Sequence, residues 1–198
     1  MLKIGITGGI GSGKTTICRI FETLGVPVFY ADTVAKDIMI SDEMLIEGLK
    51  STFGELSYFA DGKLNNKHIA GIVFNDTAQL AKLNALVHPA VFRSFDKWVY
   101  TLPPDTPYLL KEAALLFESE SYKMCDKNIV VIAPYQLKME RVTQRDQVTT
   151  EQVQARMDKQ FDDKTKLAMA DYTIYNDETQ SLISQVMKLH EQFLNLTI

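Results

Sequence analysis

Apolar and polar positions along the chain follow two rhythms. Short apolar, largely β-branched runs at Leu2 to Thr7, Val26 to Tyr30, Pro107 to Leu110, Asn128 to Ala133 and Tyr172 to Tyr175 read as strands. Between them lie stretches with apolar residues at helical spacing. Ile17, Ile20, Phe21 and Leu24 mark one within Thr15 to Leu24, and longer patterns cover Asp76 to Tyr100 and Glu178 to Leu196. Gly25 stands where a helix stop is expected, and Pro27 sits near the start of the second strand. Strand, glycine-rich loop, helix and strand make a β-α-β unit. The continuing alternation predicts an α/β fold with a parallel sheet covered by helices on both faces.

Two segments leave this alternation. Residues 41–100 are mainly helical, with Tyr58-Phe59-Ala60-Asp61-Gly62 reading as a turn, and are expected to form an inserted helical subdomain. Residues 136–169 are rich in Lys, Arg, Gln and Asp, and Thr149-Thr150-Glu151-Gln152 offers helix-start residues within them. They suggest a mobile helical lid over a site. The remaining stretches, about 1–40, 101–135 and 170–198, then form the core of a single domain. The sequence has no internal repeat and no low-complexity linker.

Composition narrows the class. Of 198 residues, 46% are apolar and 23% charged, which excludes a disordered chain, collagen or a disulfide scaffold. Lys and Arg number 21 against 25 Asp and Glu, a net charge of -4, so the basic footprint of a nucleic-acid binder is missing. Any anionic ligand must therefore be held by a local site. Cys18 and Cys125 are too few and too far apart for a disulfide framework or metal knuckle, which fits a reducing, cytoplasmic setting. The opening Met1-Leu2-Lys3-Ile4-Gly5-Ile6-Thr7-Gly8 does not read as a signal peptide. No apolar run reaches the roughly 18 to 20 residues of a membrane helix, so no membrane partner is expected.

Gly8-Gly9-Ile10-Gly11-Ser12-Gly13-Lys14-Thr15 matches the P-loop pattern G-x4-G-K-[ST] and falls between the first strand and first helix, as the motif requires. Glycines let backbone N–H groups turn inward around phosphate oxygens, and the helix N-terminus adds partial positive charge. Lys14 is placed to reach the β- and γ-phosphates, and Thr15 offers a hydroxyl to Mg²⁺. No N-K-x-D guanine motif is present.

Further residues have two readings each. Asp32, past the second strand's C-terminal end, either orients or deprotonates an acceptor hydroxyl or caps a helix starting near Thr33. Arg141 and Arg145 share a helical face with Lys138 one turn earlier, forming either a phosphate clamp or a solvated face. Arg156 and Gln160 are a weaker pair of the same spacing. His88, before Pro89, is a helix-end residue or a ligand for phosphate or hydroxyl. Glu112 and Glu118 flank Ala113-Ala114-Leu115-Leu116-Phe117 and face either a cleft or solvent.

These motifs together resemble the dephospho-CoA kinase family of P-loop kinases over nearly the whole chain. The similar segments are Gly5 to Lys14, Ala31-Asp32, Gly62-Lys63-Leu64 with Val73-Phe74, His88-Pro89, Leu115-Leu116-Phe117-Glu118, Gln136 with Arg141 and Arg145-Asp146, Gln160, and Ala170-Asp171 with Asn176. The resemblance implies a P-loop NTPase-type sheet, with residues 41–100 as a helical CoA subdomain. It also implies transfer of the ATP γ-phosphoryl group to the ribose 3′-hydroxyl of dephospho-CoA, with Mg²⁺. Asp32, Lys14 and Arg141 would carry catalysis. Gly8, Gly9, Gly11, Ser12, Gly13, Lys14, Thr15, Thr16, Arg145 and Asn176 would bind ATP, and Thr15 the metal. Asp32, His88 and Glu118 would meet the acceptor. Another nucleoside or nucleotide kinase, or a nucleotide-binding regulatory switch, is the alternative. The chain departs from the family pattern at Tyr30, Asn66 and Ala114, where Asp, Arg and Pro are usual, and Lys67 and His68 are possible substitutes for the missing Arg.

Overall fold

The structure is a computed structural model that describes residues 1–74 and 76–196. The chain divides into two compact units, Met1–Tyr30 with Pro103–Ile198, and Ala31–Leu102.

The first unit is built on five parallel strands, β1 (Leu2–Gly8), β2 (Val28–Tyr30), β3 (Tyr108–Glu112), β4 (Lys127–Ile132) and β5 (Tyr172–Tyr175), in the order β2-β3-β1-β4-β5. Because a parallel strand needs a crossover to return, all five C-terminal ends lie along one edge. The first crossover carries helix α1 (Lys14–Thr23), which ends as expected at Leu24-Gly25, where the Gly25 N–H donates to the Glu22 carbonyl at 2.9 Å. On one sheet face Ile4, Ile6, Leu110, Ile129, Val131 and Ile174 meet Ile17, Cys18 and Phe21 from α1, and Val186, Leu189 and Phe193 from the last helix. Phe21 is fully buried, and a side chain of that size contributes about 1.5–3 kcal/mol by leaving water. The opposite face is closed differently. A Cβ at Gly5 would lie 2.8 Å from Leu116 Cδ2 and 3.2 Å from Cys125 Sγ, so the turns after β3 cover it at close range.

The second unit is helical among its described residues: α2 (Ala31–Ile38), α3 (Glu43–Phe53), α4 (Asn66–Val73) and α5 (Thr77–Thr101). The first three lie against α5, and Leu45, Leu49 and Phe53 are buried, as are Val87, Val91 and Phe95. Asp42 caps α3 by accepting the Leu45 N–H at 2.9 Å and pairs with Arg93 of α5 at 3.2 Å. Two sequence expectations change here. Asp32 does not cap a helix starting near Thr33, because α2 begins at Ala31 and Asp32 lies in its first turn. His88-Pro89 does not end a helix either; α5 continues through both. Proline removes one backbone hydrogen bond, but buried Val87, Ala90, Val91 and Phe95 hold the helix on both sides of it.

The first unit continues with α6 (Tyr135–Asp146), α7 (Thr150–Met157), α8 (Asp163–Met169) and α9 (Leu182–Leu196). The helix start read at Thr149 is a capping box: its hydroxyl accepts the Gln152 N–H and the Gln152 side chain accepts the Thr149 N–H. Met139 and Val142 of α6 meet Val153 of α7, with Ile10 packed against them. The segment 136–169 is thus joined by packing to the loop after β1. Among the described residues no helix is long and apolar enough to cross a membrane.

Candidate functional site

The loop Gly9 to Gly13 turns from β1 into α1 at the sheet's C-terminal edge. Its path requires glycine twice. Gly11 has φ +79° and Gly13 has φ +93°, in the left-handed region that side chains disfavour. A Cβ on Gly11 would also stand 2.6 Å from the Lys138 carbonyl, and one on Gly13 would collide with Asn176 Nδ2. The loop closes on itself through the Ser12 N–H, which donates to the Gly9 carbonyl at 3.0 Å.

Neighbours fix it from three sides. Asn176, directly after β5, donates from Nδ2 to the Ser12 carbonyl at 2.8 Å. Gln160 accepts the Ile10 N–H on Oε1 at 2.8 Å and donates from Nε2 to the Ala114 carbonyl at 3.1 Å. Lys138 pairs with Asp163 at 2.7 Å, and a Cβ on Gly9 would lie 3.4 Å from its ammonium. The third positive group expected from the sequence is therefore neutralised by a carboxylate that sequence spacing did not single out.

Lys14 is the first residue of α1 and is buried, its ammonium donating to the Gly8 carbonyl at 3.0 Å. Glu112, the last residue of β3, is buried too, opposite Ile6 on one side and Tyr30 on the other. Both act on Cys18: burial pushes this thiol far above its usual range, Glu112 adds to the rise and Lys14 opposes it. Cys18 is thus an inert core thiol. Thr15 and Thr16 are exposed on the first turn of α1.

Arg141 of α6 reaches the same edge. Its Nη2 donates to Glu178 at 3.2 Å and to Asn176 Oδ1 at 3.5 Å, the outer limit of such a contact. Arg141 Nη1 and Ser12 Oγ are buried and have no hydrogen-bond partner among the described residues. Buried polar atoms are ordinarily paired, so two orphaned donors beside a glycine-lined loop favour an anionic ligand. Arg145 is turned elsewhere: it donates to both Asp146 oxygens, at 2.7 and 3.1 Å, and Arg156 donates to the same carboxylate at 2.7 Å.

Glu118 accepts the Phe161 N–H at 2.7 Å and pairs with the fully buried Lys166 at 3.1 Å, tying the start of α8 to the turn after β3. Asp32 and His88 belong to the helical unit, where Asp32 is exposed and the His88 ring stacks on Phe92 with centroids 6.4 Å apart. His68 of that unit holds the Phe53 carbonyl at 3.0 Å, whereas Lys67 is exposed. Sequence reasoning missed Asp163, Lys166 and Glu178 because nothing in their spacing marks them as partners of distant residues.

The model of the dephospho-CoA kinase family matches residues 2–181. The chain belongs to the dephospho-CoA kinase family. A curated dephospho-CoA kinase of Chlorobium chlorochromatii is 37% identical over 98% of this chain and 94% of its own. Among solved structures, a Thermus thermophilus protein is similar with a TM-score of 0.85 and 30% identity, covering 96% of both chains. A dephospho-CoA kinase of Campylobacter jejuni follows with a TM-score of 0.72 and 27% identity over 99% of this chain and 98% of that one. The match takes in both units, so membership of the dephospho-CoA kinase family extends beyond the phosphate loop.

Proposed function

We propose that this chain transfers the γ-phosphoryl group of ATP to the 3′-hydroxyl of the ribose of dephospho-CoA, releasing CoA and ADP. The observation that carries this reading is a complete phosphate loop, buttressed from three sides, in a chain of the dephospho-CoA kinase family. Phosphoryl transfer needs little covalent participation by the protein; positioning and charge neutralisation supply most of the rate.

In this account the loop amides of Gly9, Gly11, Ser12 and Gly13, with Gly8 giving the loop its entry, surround the phosphates. Lys14 exchanges its Gly8 carbonyl for β- and γ-phosphate oxygens. Thr15 and Thr16 lie at the helix N-terminus, where anions are favoured. Arg141 neutralises charge developing during transfer, and Arg145 swaps Asp146 for phosphate as the segment 136–169 closes over the nucleotide. Asn176 supports the loop and the nucleotide. The helical unit receives the acceptor, with His88 among its contacts, while Glu118 supports the acceptor side by anchoring Phe161. Asp32 orients the 3′-hydroxyl and takes its proton as the new O–P bond forms and the bond to the β-phosphate oxygen breaks.

The donor set suits Mg²⁺. Thr15 offers a hard oxygen, and this ion is commonly held by a few protein oxygens together with substrate phosphates rather than by a protein cage. Bound there, the ion would neutralise phosphate charge. The free cysteines suit a reducing, cytoplasmic setting.

The test is ADP release by the purified chain with MgATP, with and without dephospho-CoA, with adenosine, cytidine and nucleoside monophosphates as competing acceptors. Release that depends on dephospho-CoA, and that Asp32→Asn abolishes while ATP still binds, is the expected result. Phosphorylation of another acceptor alone would replace the substrate reading, and unchanged turnover in Asp32→Asn would remove its assigned role.

A further inference from the structure

Gln160 lies outside the phosphate cradle, yet it joins three segments of the first unit. The hydrogen bond from the Ser12 N–H to the Gly9 carbonyl at 3.0 Å closes a four-residue turn with Ile10 and Gly11 at its centre. The N–H of the second residue in such a turn has no partner within it. For Ile10 the partner is Gln160 Oε1 at 2.8 Å, from 150 residues further along the chain.

A side-chain amide can accept an N–H only on its oxygen, so a second contact must decide which end faces the loop. The Ala114 carbonyl decides it by accepting from Gln160 Nε2 at 3.1 Å, which leaves Oε1 toward Ile10. That carbonyl also accepts from Thr7 Oγ1, a fully buried side chain near the end of β1, at 3.4 Å. The backbone around Gln160 is fixed as well. Its N–H donates to the Met157 carbonyl at 2.9 Å at the end of α7, and the Phe161 N–H donates to Glu118 at 2.7 Å. The amide is thus a spacer with two different ends, set between the phosphate loop and the turn after β3.

We propose that Gln160 is a positioning residue for ATP, which takes the Ile10 N–H out of the phosphate cradle and ties the loop to the turn after β3. The inference rests on the reading of that loop as the ATP site. Gln160 acts through the Ile10 backbone, which leaves the following amides of Gly11, Ser12 and Gly13 preset for phosphate oxygens. A loop already held in its binding shape loses less freedom when ATP arrives.

The test is the Kd for ATP in the presence of Mg²⁺, measured on the full chain at a temperature where each variant is folded, with the thermal unfolding midpoint alongside. Gln160→Met keeps the side-chain length and removes both hydrogen bonds. Gln160→Glu keeps the acceptor for Ile10 but sets a carboxylate oxygen against the Ala114 carbonyl. Each is expected to weaken ATP binding by about three- to tenfold, the scale of one or two modest hydrogen bonds. Asp162→Ala loosens the same segment without touching the loop, because it removes the cap that accepts the Thr165 N–H at 2.7 Å at the start of α8. It should lower the unfolding midpoint and leave the Kd within about twofold of wild type, since the two sites share no partner. Wild-type affinity in either Gln160 variant would overturn the proposal. So would a loss of affinity in Asp162→Ala as large as that in Gln160→Met, the pattern of a general loosening of the segment. A chain that binds ATP but leaves dephospho-CoA unphosphorylated would remove the substrate reading and leave this test intact.

Discussion

The phosphate loop and the outer edge of the 136–169 segment both collect cations, and they treat them in opposite ways. At the loop Lys14 and Lys138 are buried, one donating to a backbone carbonyl and the other paired with Asp163. At the outer edge Arg145 and Arg156 are about half exposed and share the single carboxylate of Asp146. A buried charge must keep a well-placed partner, because desolvation makes an unpaired one expensive. An exposed pair is worth little, so its members exchange partners at small cost. The first arrangement suits a rigid cradle and the second a closing surface.

The largest effect that tests this contrast is at Lys14. Lys14→Ala should lower turnover by about 10²- to 10³-fold or more, as loss of a charge-stabilising group does elsewhere; an assay within tenfold of wild type would break the comparison at its rigid end. Gly13→Ala comes next. It forces a side chain into the left-handed region and against Asn176, and should cost about 1–3 kcal/mol in chemical denaturation. Lys138→Met leaves Asp163 unpaired but one-third exposed, so a loss of about 1–2 kcal/mol is expected, below the range for a fully buried broken pair.

The exposed end should respond least. Arg156→Ala should change stability by less than about 1 kcal/mol, and turnover by no more than a few fold. Hydrogen bonds from Arg145 and then Arg156 hold the Asp146 carboxyl at about 2, below its ordinary 3.8. A depressed carboxyl stabilises the fold above its unfolded value and loses that contribution as pH falls through the folded one. Any stability due to Asp146 is therefore constant from neutrality to about pH 4 and fades toward pH 2. Asp146→Asn should flatten the acid limb of a pH–stability curve only there, and a change between pH 6 and 8 would contradict the assignment.

Much of this was legible in the sequence because it depends on local patterns. The β-branched runs, the glycines before Lys14 and the Thr149 capping box each carry their own signal, and each marks a matching element in the fold. The helix through Pro89 was less legible: proline is a local stop signal, and the packing of α5 that overrides it comes from residues distant in sequence. The same holds for the site. Lys14 and Asn176 could be singled out, but Asp163 against Lys138, Lys166 against Glu118, and Gln185 against the Tyr175 backbone are pairings that only the folded chain creates.

The central claim is that the buttressed loop delivers the γ-phosphoryl group to the ribose of dephospho-CoA. The most direct measurement is a single-turnover reaction of the purified chain with γ-labelled ATP and dephospho-CoA, with the products separated and the position of the label determined. The account predicts label on the 3′-oxygen of the ribose, at a rate that collapses in Lys14→Ala. Label found only in inorganic phosphate, or on an acceptor other than dephospho-CoA, would contradict it.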